Sequence, residues 1–302
     1  MTGVRLSYVV QADAWATLTD TIGALAGQGR ARDVELVAVA PGELGDPPVA
    51  AAALGGVTTV IRPLVPSASA RAAGIEAASG DVVAIGETHV ALPPEWADSV
   101  LQVHDAGADA VVPTLANANP GTRLAWTAFL LDYGRYRGPA PNVTVPTYNA
   151  TVRRDALPTG PGLRRALEPG PYLDRALRSA GATVRPAAVV VRHLNVDVPG
   201  HWLRERVLSG LLIGDARAAR WRWGRRLAYA AAFPAIGVVL FARALRLDRS
   251  DSPRGTLVTV GLACALTAVG EALGYLGLCR PADQRAMAAF ELHKARFTRS
   301  GP

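Results

Sequence analysis

The chain is poor in sulfur and in aromatic side chains, with two Cys, two Met and 6% Phe, Trp and Tyr among 302 residues. Cys264 and Cys279 lie in or at the end of an apolar segment, without metal or disulfide spacing, so they indicate nothing about catalysis. Half of the residues are hydrophobic, which excludes a disordered or fibrous protein. The length allows one sizeable globular domain and a smaller region.

Acidic residues are also few, because 32 Lys and Arg outnumber 25 Asp and Glu and leave a net charge of +7. This balance suits an anionic partner: nucleic acid, nucleotide phosphates or an acidic membrane surface. Much of the charge lies just before an apolar segment, interleaved with tryptophans: Arg204, Arg206, Arg217, Arg220, Arg222, Arg225, Arg226, Trp202, Trp221 and Trp223. This position favours a membrane over nucleic acid. The alternative is a solvated basic helix whose Trp side chains pack on the globular domain.

Strand and helix signals alternate in the first third of the chain. Apolar runs predict strands at residues 6–10, 35–40, 57–61, 82–85 and 110–113, with helices at 14–26, 67–79 and 96–106. This alternation predicts an α/β domain with a parallel sheet and crossover helices. Because ligands of such sheets bind at the carboxyl ends of strands, we expect residues 11–13, 41–43 and 87–89 to converge on one crevice.

Two potential metal ligands, Glu87 and His89, follow the apolar strand at residues 82–85. If the chain stays extended there, side chains at i and i+2 point to the same side, as two ligands of one cation must. The alternative is structural: Glu87 caps the next helix and His89 is satisfied by local hydrogen bonds.

The middle of the chain, residues 115–171, is rich in Pro, Gly and Asn and weakly periodic, which predicts long loops that form a wall or lid. A helix at 173–180, a strand at 183–192 and a basic amphipathic connector follow. We expect a globular domain over residues 1–200, the connector over 201–226, an apolar region over 227–278 and a basic tail over 279–302.

Two apolar segments, residues 227–245 and 256–278, are each about long enough to cross a hydrocarbon core of ~30 Å. With the short polar turn between them, they predict a transmembrane helical hairpin; the alternative is a buried helical pair. Glu271 requires a partner in such a helix, and Gly270 and Gly274 indicate close helix packing. No secretory signal pattern precedes the strand-like residues 4–10, so we expect the globular part in the cytosol.

The order of these features resembles that of the family 2 glycosyltransferases, enzymes that transfer a sugar from a nucleotide donor. The resemblance covers about residues 4–195 and is clearest in the Ala- and Arg-rich helix, the Gly80-Asp81 turn and the strand that follows. It implies an α/β fold, with a GT-A type nucleotide-sugar-binding domain that contains a mostly parallel sheet.

The family's Asp-x-Asp motif, which binds a divalent cation on the donor diphosphate, falls on Glu87-Thr88-His89. The resemblance therefore implies a cation, Mn²⁺ or Mg²⁺, at Glu87 and His89, and the histidine shifts the preference toward Mn²⁺. His193 follows the last strand, where many members supply a histidine, and is the expected third ligand. The alternative for His193 is an exposed histidine at a strand end.

The expected contacts to the nucleotide-sugar donor are Gln11, Asp13, Glu43 and Arg71. Glu43 lies just beyond the place where the family usually offers an acidic residue to the base. Asp13 is an alternative contact to uridine or ribose, and a helix N-cap explains it equally well.

The catalytic base of inverting family members comes from a Glu-Asp pair that this chain does not reproduce. Glu168 is the first candidate to deprotonate an acceptor hydroxyl, and Asp174 is the second. A surface ion pair with neighbouring arginines is the alternative role for Glu168. Arg204 and Arg206 are candidates for the diphosphate or for lipid contact.

The predicted function is that of a glycosyltransferase at the cell membrane, with its catalytic domain facing the cytoplasm. It would transfer a sugar from a nucleotide-sugar donor to a lipid or cell-envelope acceptor, assisted by a divalent cation, without nucleic acid as a partner. The alternative is a catalytically silent relative that serves as a membrane-anchored binding or scaffold protein.

Overall fold

The computed structural model describes residues 3–138 and 143–299. The chain divides into two compact units. The first is drawn from the residues up to Ala116 together with Gly138–Arg192, and the second from Asn117–Arg137 and the chain from His193 onward.

The first unit is organised by an eight-stranded sheet. Its strands, β1 to β8 in chain order, are Leu6–Gln11, Val34–Ala40, Gly56–Ile61, Val82–Ile85, Val90–Ala91, Ala110–Asn117, Thr151–Arg153 and Val184–His193. They lie in the order β3-β2-β1-β4-β7-β6-β8-β5. Strands β1 to β4 form a parallel block, whereas β7 runs antiparallel to β4 and β6. The predicted α/β fold with a mostly parallel arrangement around β1 is therefore confirmed.

Helices of the described chain, α1 to α11, are Thr19–Ala26, Ser67–Ala77, Trp96–Asp105, Arg123–Tyr133, Gly160–Ala166, Tyr172–Ser179, Pro199–Ala218, Trp223–Ala231, Phe233–Ala244, Thr256–Tyr275 and Pro281–Leu292. Helices α4 and α7 to α11 belong to the second unit. In the first unit, a Cβ atom at Gly74 of α2 would lie 2.5 Å from Val9 and 2.6 Å from Val39. Glycine thus allows α2 to pack closely on β1 and β2.

The middle of the chain is more regular than the sequence predicts. The sequence predicts long loops over residues 115–171, but this part of the chain contains helix α4, strand β7 and helix α5. Helix α4 begins after Thr122, whose hydroxyl accepts a hydrogen bond from the Ala125 amide at 3.1 Å. Its side chains are buried on most sides, so the helix lacks the single apolar stripe by which a surface helix is recognised.

The second unit is built around the close pairing of α7 and α10. Cβ atoms at Gly210 and Gly214 of α7 would overlap the backbone of α10, and those at Gly270 and Gly274 would overlap the backbone of α7. The predicted close packing at Gly270 and Gly274 is confirmed, and its cause is the contact of two backbones. The buried carboxylate of Glu271 accepts hydrogen bonds from Arg217 and from the Tyr275 hydroxyl, both at 2.6 Å.

The apolar region before α10 is not one straight helix. Helices α8 and α9 meet at Ala232 with a bend of 63°. Pro234, in the first turn of α9, lacks an amide hydrogen and restricts the residue before it, which favours a helix break at this point. Among residues 3–138 and 143–299, α10 alone is long and apolar enough to span a membrane as a single helix, and the bent pair counts at most as a second span.

Candidate functional site

The candidate site begins where β4 ends, at Gly86 and Glu87. A Cβ atom at Gly86 would overlap the ring of Tyr8, so glycine lets this turn lie directly on the tyrosine. The Tyr8 hydroxyl donates to the carbonyl of Glu87 at 3.1 Å and accepts from the Glu87 amide at 3.3 Å. The edge of Tyr8 packs on Trp96, with ring centroids 5.7 Å apart. The buried Tyr8 side chain thus fixes the backbone of Glu87 through its hydroxyl group.

Burial of Tyr8 keeps its hydroxyl protonated. Desolvation raises the pKa of this phenol well above its usual range, although the hydrogen bond with the Glu87 backbone opposes the shift. A neutral hydroxyl can donate and accept at once, as both contacts with Glu87 require.

Glu87 and His89 lie close together, although Thr88 and His89 form a turn and not the extended chain that the sequence argument assumed. The Oε1 atom of Glu87 lies 3.8 Å from Nε2 of His89, and both side chains are buried. The other carboxylate oxygen, Oε2, accepts a hydrogen bond from Nδ2 of Asn149 at 2.6 Å. The next helix, α3, has Glu95 at its N-cap, so Glu87 does not cap it.

Asn149, which no sequence motif identifies, also contacts the candidate site through its hydrogen bond to Glu87. Its backbone has φ of 52°, a left-handed conformation that asparagine tolerates better than most residues. Its amide donates to the carbonyl of Ile85 at 2.6 Å, which ties the loop before β7 to the end of β4. An asparagine between Tyr148 and Ala150 carries no motif, so only the fold identifies it as a neighbour of Glu87.

The Glu87–His89 pair fits a divalent cation. An ion with ligand distances of about 2.1 Å can contact two atoms up to about 4.2 Å apart, and the two candidate atoms are 3.8 Å apart. One carboxylate oxygen and one imidazole nitrogen suit Mn²⁺, whereas Mg²⁺ prefers oxygen ligands. The amide of Asn149 donates to Oε2 and turns Oε1 toward the histidine, as a hydrogen bond from outside a metal site would.

His193 ends β8 and belongs to the second unit. It is fully buried, with 0% exposure, so the alternative of an exposed histidine at a strand end is wrong. Its Nδ1 lies 3.1 Å from Oδ1 of Asn195, and its ring packs on Tyr133 with centroids 3.8 Å apart.

The four expected donor contacts have different environments. Gln11 joins the end of β1 to α2, because its Nε2 donates to the Leu64 carbonyl at 3.2 Å and its Oε1 accepts from the Ser67 hydroxyl at 2.8 Å. Asp13 accepts from the Thr17 hydroxyl at 2.7 Å, at the start of a helical segment. Glu43 is exposed and Arg71 is partly exposed on α2.

A cleft of about 280 Å³ runs along α2. Its charged lining residues are Arg62, Glu76 and Arg164, none of which was among the predicted donor contacts. Arg62 directly follows β3, at the end of the sheet where ligands bind, and two guanidinium groups suit phosphate oxygens.

The two candidate bases differ in how they are held. Asp174, in the first turn of α6, accepts hydrogen bonds from the Val145 amide and from Nε of Arg178, both at 3.0 Å. Arg178 also donates to the Val143 carbonyl at 2.7 Å, so this pair fixes the loop at residues 143–145. Glu168 lies just beyond α5 and is partly exposed.

Arg206 is occupied within the second unit. Its guanidinium lies 2.7 Å from the Asp132 carboxylate and 2.8 Å from that of Glu205, and the arginine is 2% exposed. Burial alone would lower the pKa of Arg206, but the two carboxylates raise it overall and keep the guanidinium charged. These ion pairs give Arg206 a structural role and leave Arg204 as the better candidate for a ligand or lipid.

Comparison with known proteins defines the class of this chain. The family model for glycosyl transferase family 2 matches residues 13–159, just under half of the chain. The matched residues include Glu87, His89 and Asn149. The match indicates that the protein is a glycosyltransferase. No curated protein matches the sequence at a significant level.

Two solved structures are similar at low sequence identity. Residues 1–349 of S. aureus TarS in complex with UDP are 11% identical, over 91% of each chain, with a TM-score of 0.47. Glucosyl-3-phosphoglycerate synthase from Mycobacterium tuberculosis, in complex with Mn²⁺ and UDP-glucose, is 18% identical over 68% of this chain and 77% of that chain, with a TM-score of 0.42. Both similarities are too distant to define the function of this chain.

Proposed function

We propose that this glycosyltransferase takes its sugar from a nucleoside diphosphate sugar and uses a divalent cation, preferably Mn²⁺. The main observation that supports this proposal is that Glu87 and His89 form a buried pair beyond the carboxyl end of β4. Glu87, His89 and His193 are the proposed ligands. When bound, the cation supplies positive charge that stabilises the departing diphosphate.

The chain's own residues orient the donor and the acceptor. Arg71 is the proposed cation for the diphosphate, and Gln11, Asp13 and Glu43 are the proposed contacts to the nucleoside. Glu168 is the proposed general base that takes the proton of the acceptor hydroxyl. Asp174 is the weaker candidate, because its carboxylate already accepts two hydrogen bonds from Val145 and Arg178.

Nucleotide release tests this function directly. The purified protein is incubated with UDP- and GDP-sugars, with Mn²⁺, with Mg²⁺ or with a chelator, and free UDP or GDP is measured. We expect release from at least one donor that depends on the cation and is lost in Glu87→Gln. The matched control is Glu35→Gln, the same change at a buried carboxylate at the other end of the sheet. Release that persists in the chelator or in Glu87→Gln would contradict metal assistance.

A lipid or cell-envelope acceptor and a cell-membrane location, with the catalytic domain on the cytoplasmic side, complete the proposal. Support comes from large apolar side chains exposed on α8 and α9, namely Trp223, Leu227, Tyr229, Phe233, Val238 and Val239. Arg222, Arg225 and Arg226 lie at the start of this region, where anionic lipid headgroups would attract them.

Vesicle flotation tests the membrane proposal separately from activity. We expect the protein to float with vesicles that contain anionic lipid and the double variant Val238→Asp and Val239→Asp to remain unbound. Ile61→Asp is the control, because Ile61 is also exposed but lies on β3 in the first unit. Equal flotation of both variants would contradict a role for α9.

A further inference from the structure

Three asparagines form a hydrogen-bonded cluster within the second unit, and one of them, Asn195, contacts His193. Asn117 is the last residue of β6, Asn119 follows it after one residue, and Asn195 lies two residues after His193. All three are buried, with exposures of 8% or less, and His193 is completely buried. Nδ2 of Asn117 has no hydrogen-bond partner among the described residues, but its Oδ1 accepts from the Asn119 backbone amide at 3.1 Å, which fixes how the Asn117 side chain is oriented.

The orientation of the Asn195 side chain follows from two acceptors. Its Nδ2 donates to the backbone carbonyl of His193 at 2.9 Å and to Oδ1 of Asn117 at 2.9 Å. A carbonyl oxygen only accepts, so the NH₂ group of Asn195 must face it. Rotating the amide by half a turn would place two oxygens against each other at both positions.

The backbone of Asn195 is held as firmly as its side chain. Asn119 donates from Nδ2 to the Asn195 carbonyl at 2.7 Å and accepts from the Asn195 amide at 2.9 Å. This paired contact fixes the residue at both of its backbone polar groups. The Oδ1 atom of Asn195 is therefore a hydrogen-bond acceptor in a fixed position.

What faces Oδ1 of Asn195 is Nδ1 of His193, at 3.1 Å. Because this amide oxygen can only accept, Nδ1 must carry the hydrogen. A neutral imidazole has one protonated nitrogen, so the lone pair of His193 lies on Nε2. Tyr133 packs on the ring at a centroid distance of 3.8 Å and an angle of 35°, which restricts its rotation.

We propose that Asn195 is a positioning residue that holds His193 in the Nδ1–H tautomer and so makes Nε2 the ligand nitrogen. Metal-binding histidines commonly donate their second nitrogen to a carbonyl or carboxylate in this way. The tautomer follows from contacts within the second unit alone. That Nε2 binds a metal cation rests on the proposed function.

The tautomer can be measured without any metal. In protein labelled with ¹⁵N at its five histidines, nitrogen chemical shifts and long-range couplings to ring protons distinguish Nδ1–H from Nε2–H. Spectra are recorded at rising pH until the imidazole signals no longer change, so that the neutral form is the one assigned. His193→Gln identifies the His193 signals. We expect a protonated Nδ1, and a protonated Nε2 in the wild-type protein would overturn the proposal.

Two substitutions separate positioning from folding. Asn195→Asp keeps an oxygen opposite Nδ1 and should retain the Nδ1–H tautomer, but its second oxygen faces the His193 carbonyl and Oδ1 of Asn117, so we expect a lower melting temperature. Asn195→Leu has a similar size and removes the acceptor. We expect Asn195→Leu to lose the tautomer preference and to bind Mn²⁺ about 10- to 100-fold more weakly than the wild type. Asn195→Asp, measured at a temperature where thermal unfolding shows both variants to be folded, should bind Mn²⁺ more tightly than Asn195→Leu because it keeps the acceptor opposite Nδ1.

The readouts distinguish the two proposals. An Nδ1–H signal in a protein that binds no Mn²⁺ would reject the proposed metal site and leave the role of Asn195 in setting the tautomer supported. Unchanged tautomer and Mn²⁺ affinity in a folded Asn195→Leu would reject the role of Asn195.

Discussion

Two buried carboxylates at opposite ends of one sheet have very different surroundings. Glu35, near the start of β2, accepts hydrogen bonds from the Ser7 and Thr58 hydroxyls and from both the amide and the hydroxyl of Ser79, at 2.7–2.9 Å. Glu87, beyond the end of β4, accepts from Asn149 and lies beside an imidazole.

The difference separates a structural carboxylate from a candidate ligand. At Glu35, burial raises the pKa of the carboxyl, but the hydrogen bonds from Ser79, Ser7 and Thr58 outweigh it, so the pKa is lowered overall. Its neighbours are donors that make an anion stable without any other charge. At Glu87, the neighbour at 3.8 Å is a histidine nitrogen, an atom type that commonly binds metal ions in proteins. Burial of a carboxylate therefore does not by itself indicate a metal site. The chemistry of the neighbouring side chains distinguishes a structural carboxylate from a candidate ligand.

The largest expected effect is that of Glu87→Gln on turnover. The amide keeps the size of the side chain and removes the anionic oxygen that a divalent cation requires. We expect release of nucleoside diphosphate to fall by at least about 100-fold, with the melting temperature nearly unchanged. A fall in nucleoside diphosphate release of less than about 3-fold would contradict the assignment of Glu87, in contrast to Glu35, as a metal ligand.

Asn149→Gly should have the next largest effect. Glycine adopts the positive φ of 52° without strain, so the change removes the hydrogen bond to Glu87 and little else. We expect Mn²⁺ to bind about 10- to 100-fold more weakly, as is typical for loss of a hydrogen bond behind a metal ligand. An Mn²⁺ titration by electron paramagnetic resonance measures this, and unchanged affinity would mean that Asn149 does not orient Glu87.

Tyr8→Phe tests the support beneath the Glu87 backbone. The change removes the hydroxyl that contacts both the carbonyl and the amide of Glu87 and keeps the ring packed on Trp96. We expect a loss of about 1–2 kcal/mol in the free energy of unfolding and a few-fold weaker Mn²⁺ binding. Denaturant unfolding and the same titration measure the two effects, and unchanged stability together with unchanged Mn²⁺ affinity would reject a supporting role.

Glu35→Gln should have the smallest effect on the site and a clear effect on stability. The free energy of unfolding should fall by about 1–3 kcal/mol at pH 7, because the hydroxyl and amide donors lose an anionic acceptor. Since the folded pKa lies below the ordinary 4.5, this stabilisation is present above pH 4.5 and is lost as the pH falls through the folded value. Unfolding curves from pH 7 to pH 3 should therefore converge for wild type and variant, and parallel curves would contradict the assigned role.

Much of the first unit could be predicted from the sequence because its elements are locally encoded. The strands at residues 35–40 and 82–85 and the helix at 67–79 correspond to β2, β4 and α2 within two residues. Each is an apolar run or an Ala-rich segment bounded by Gly or polar residues, as the patterns require. The proximity of Glu87 and His89 arises differently from the sequence argument, because Thr88 and His89 form a turn and not an extended chain on the short segment after β4.

The rest depends on contacts between residues distant in sequence. Helix α4 was missed because it is buried on most sides and so has no polar face to reveal its period. Asn149 was missed because its contact with Glu87 joins the segment after β4 to the loop before β7, which are distant in sequence. Pro234 is a local sequence signal for the break between α8 and α9. The 63° bend between the two helices, in contrast, depends on packing.

The central claim is that Glu87, and not Glu35, is the carboxylate of a metal-dependent donor site. Calorimetric titration of UDP and GDP into the detergent-solubilised protein, with and without Mn²⁺, tests it most directly in wild type, Glu87→Gln and Glu35→Gln. We predict binding that requires Mn²⁺, is abolished by Glu87→Gln and is retained in Glu35→Gln. Absence of binding to the wild type under every condition, or equal binding by both variants, would contradict the account.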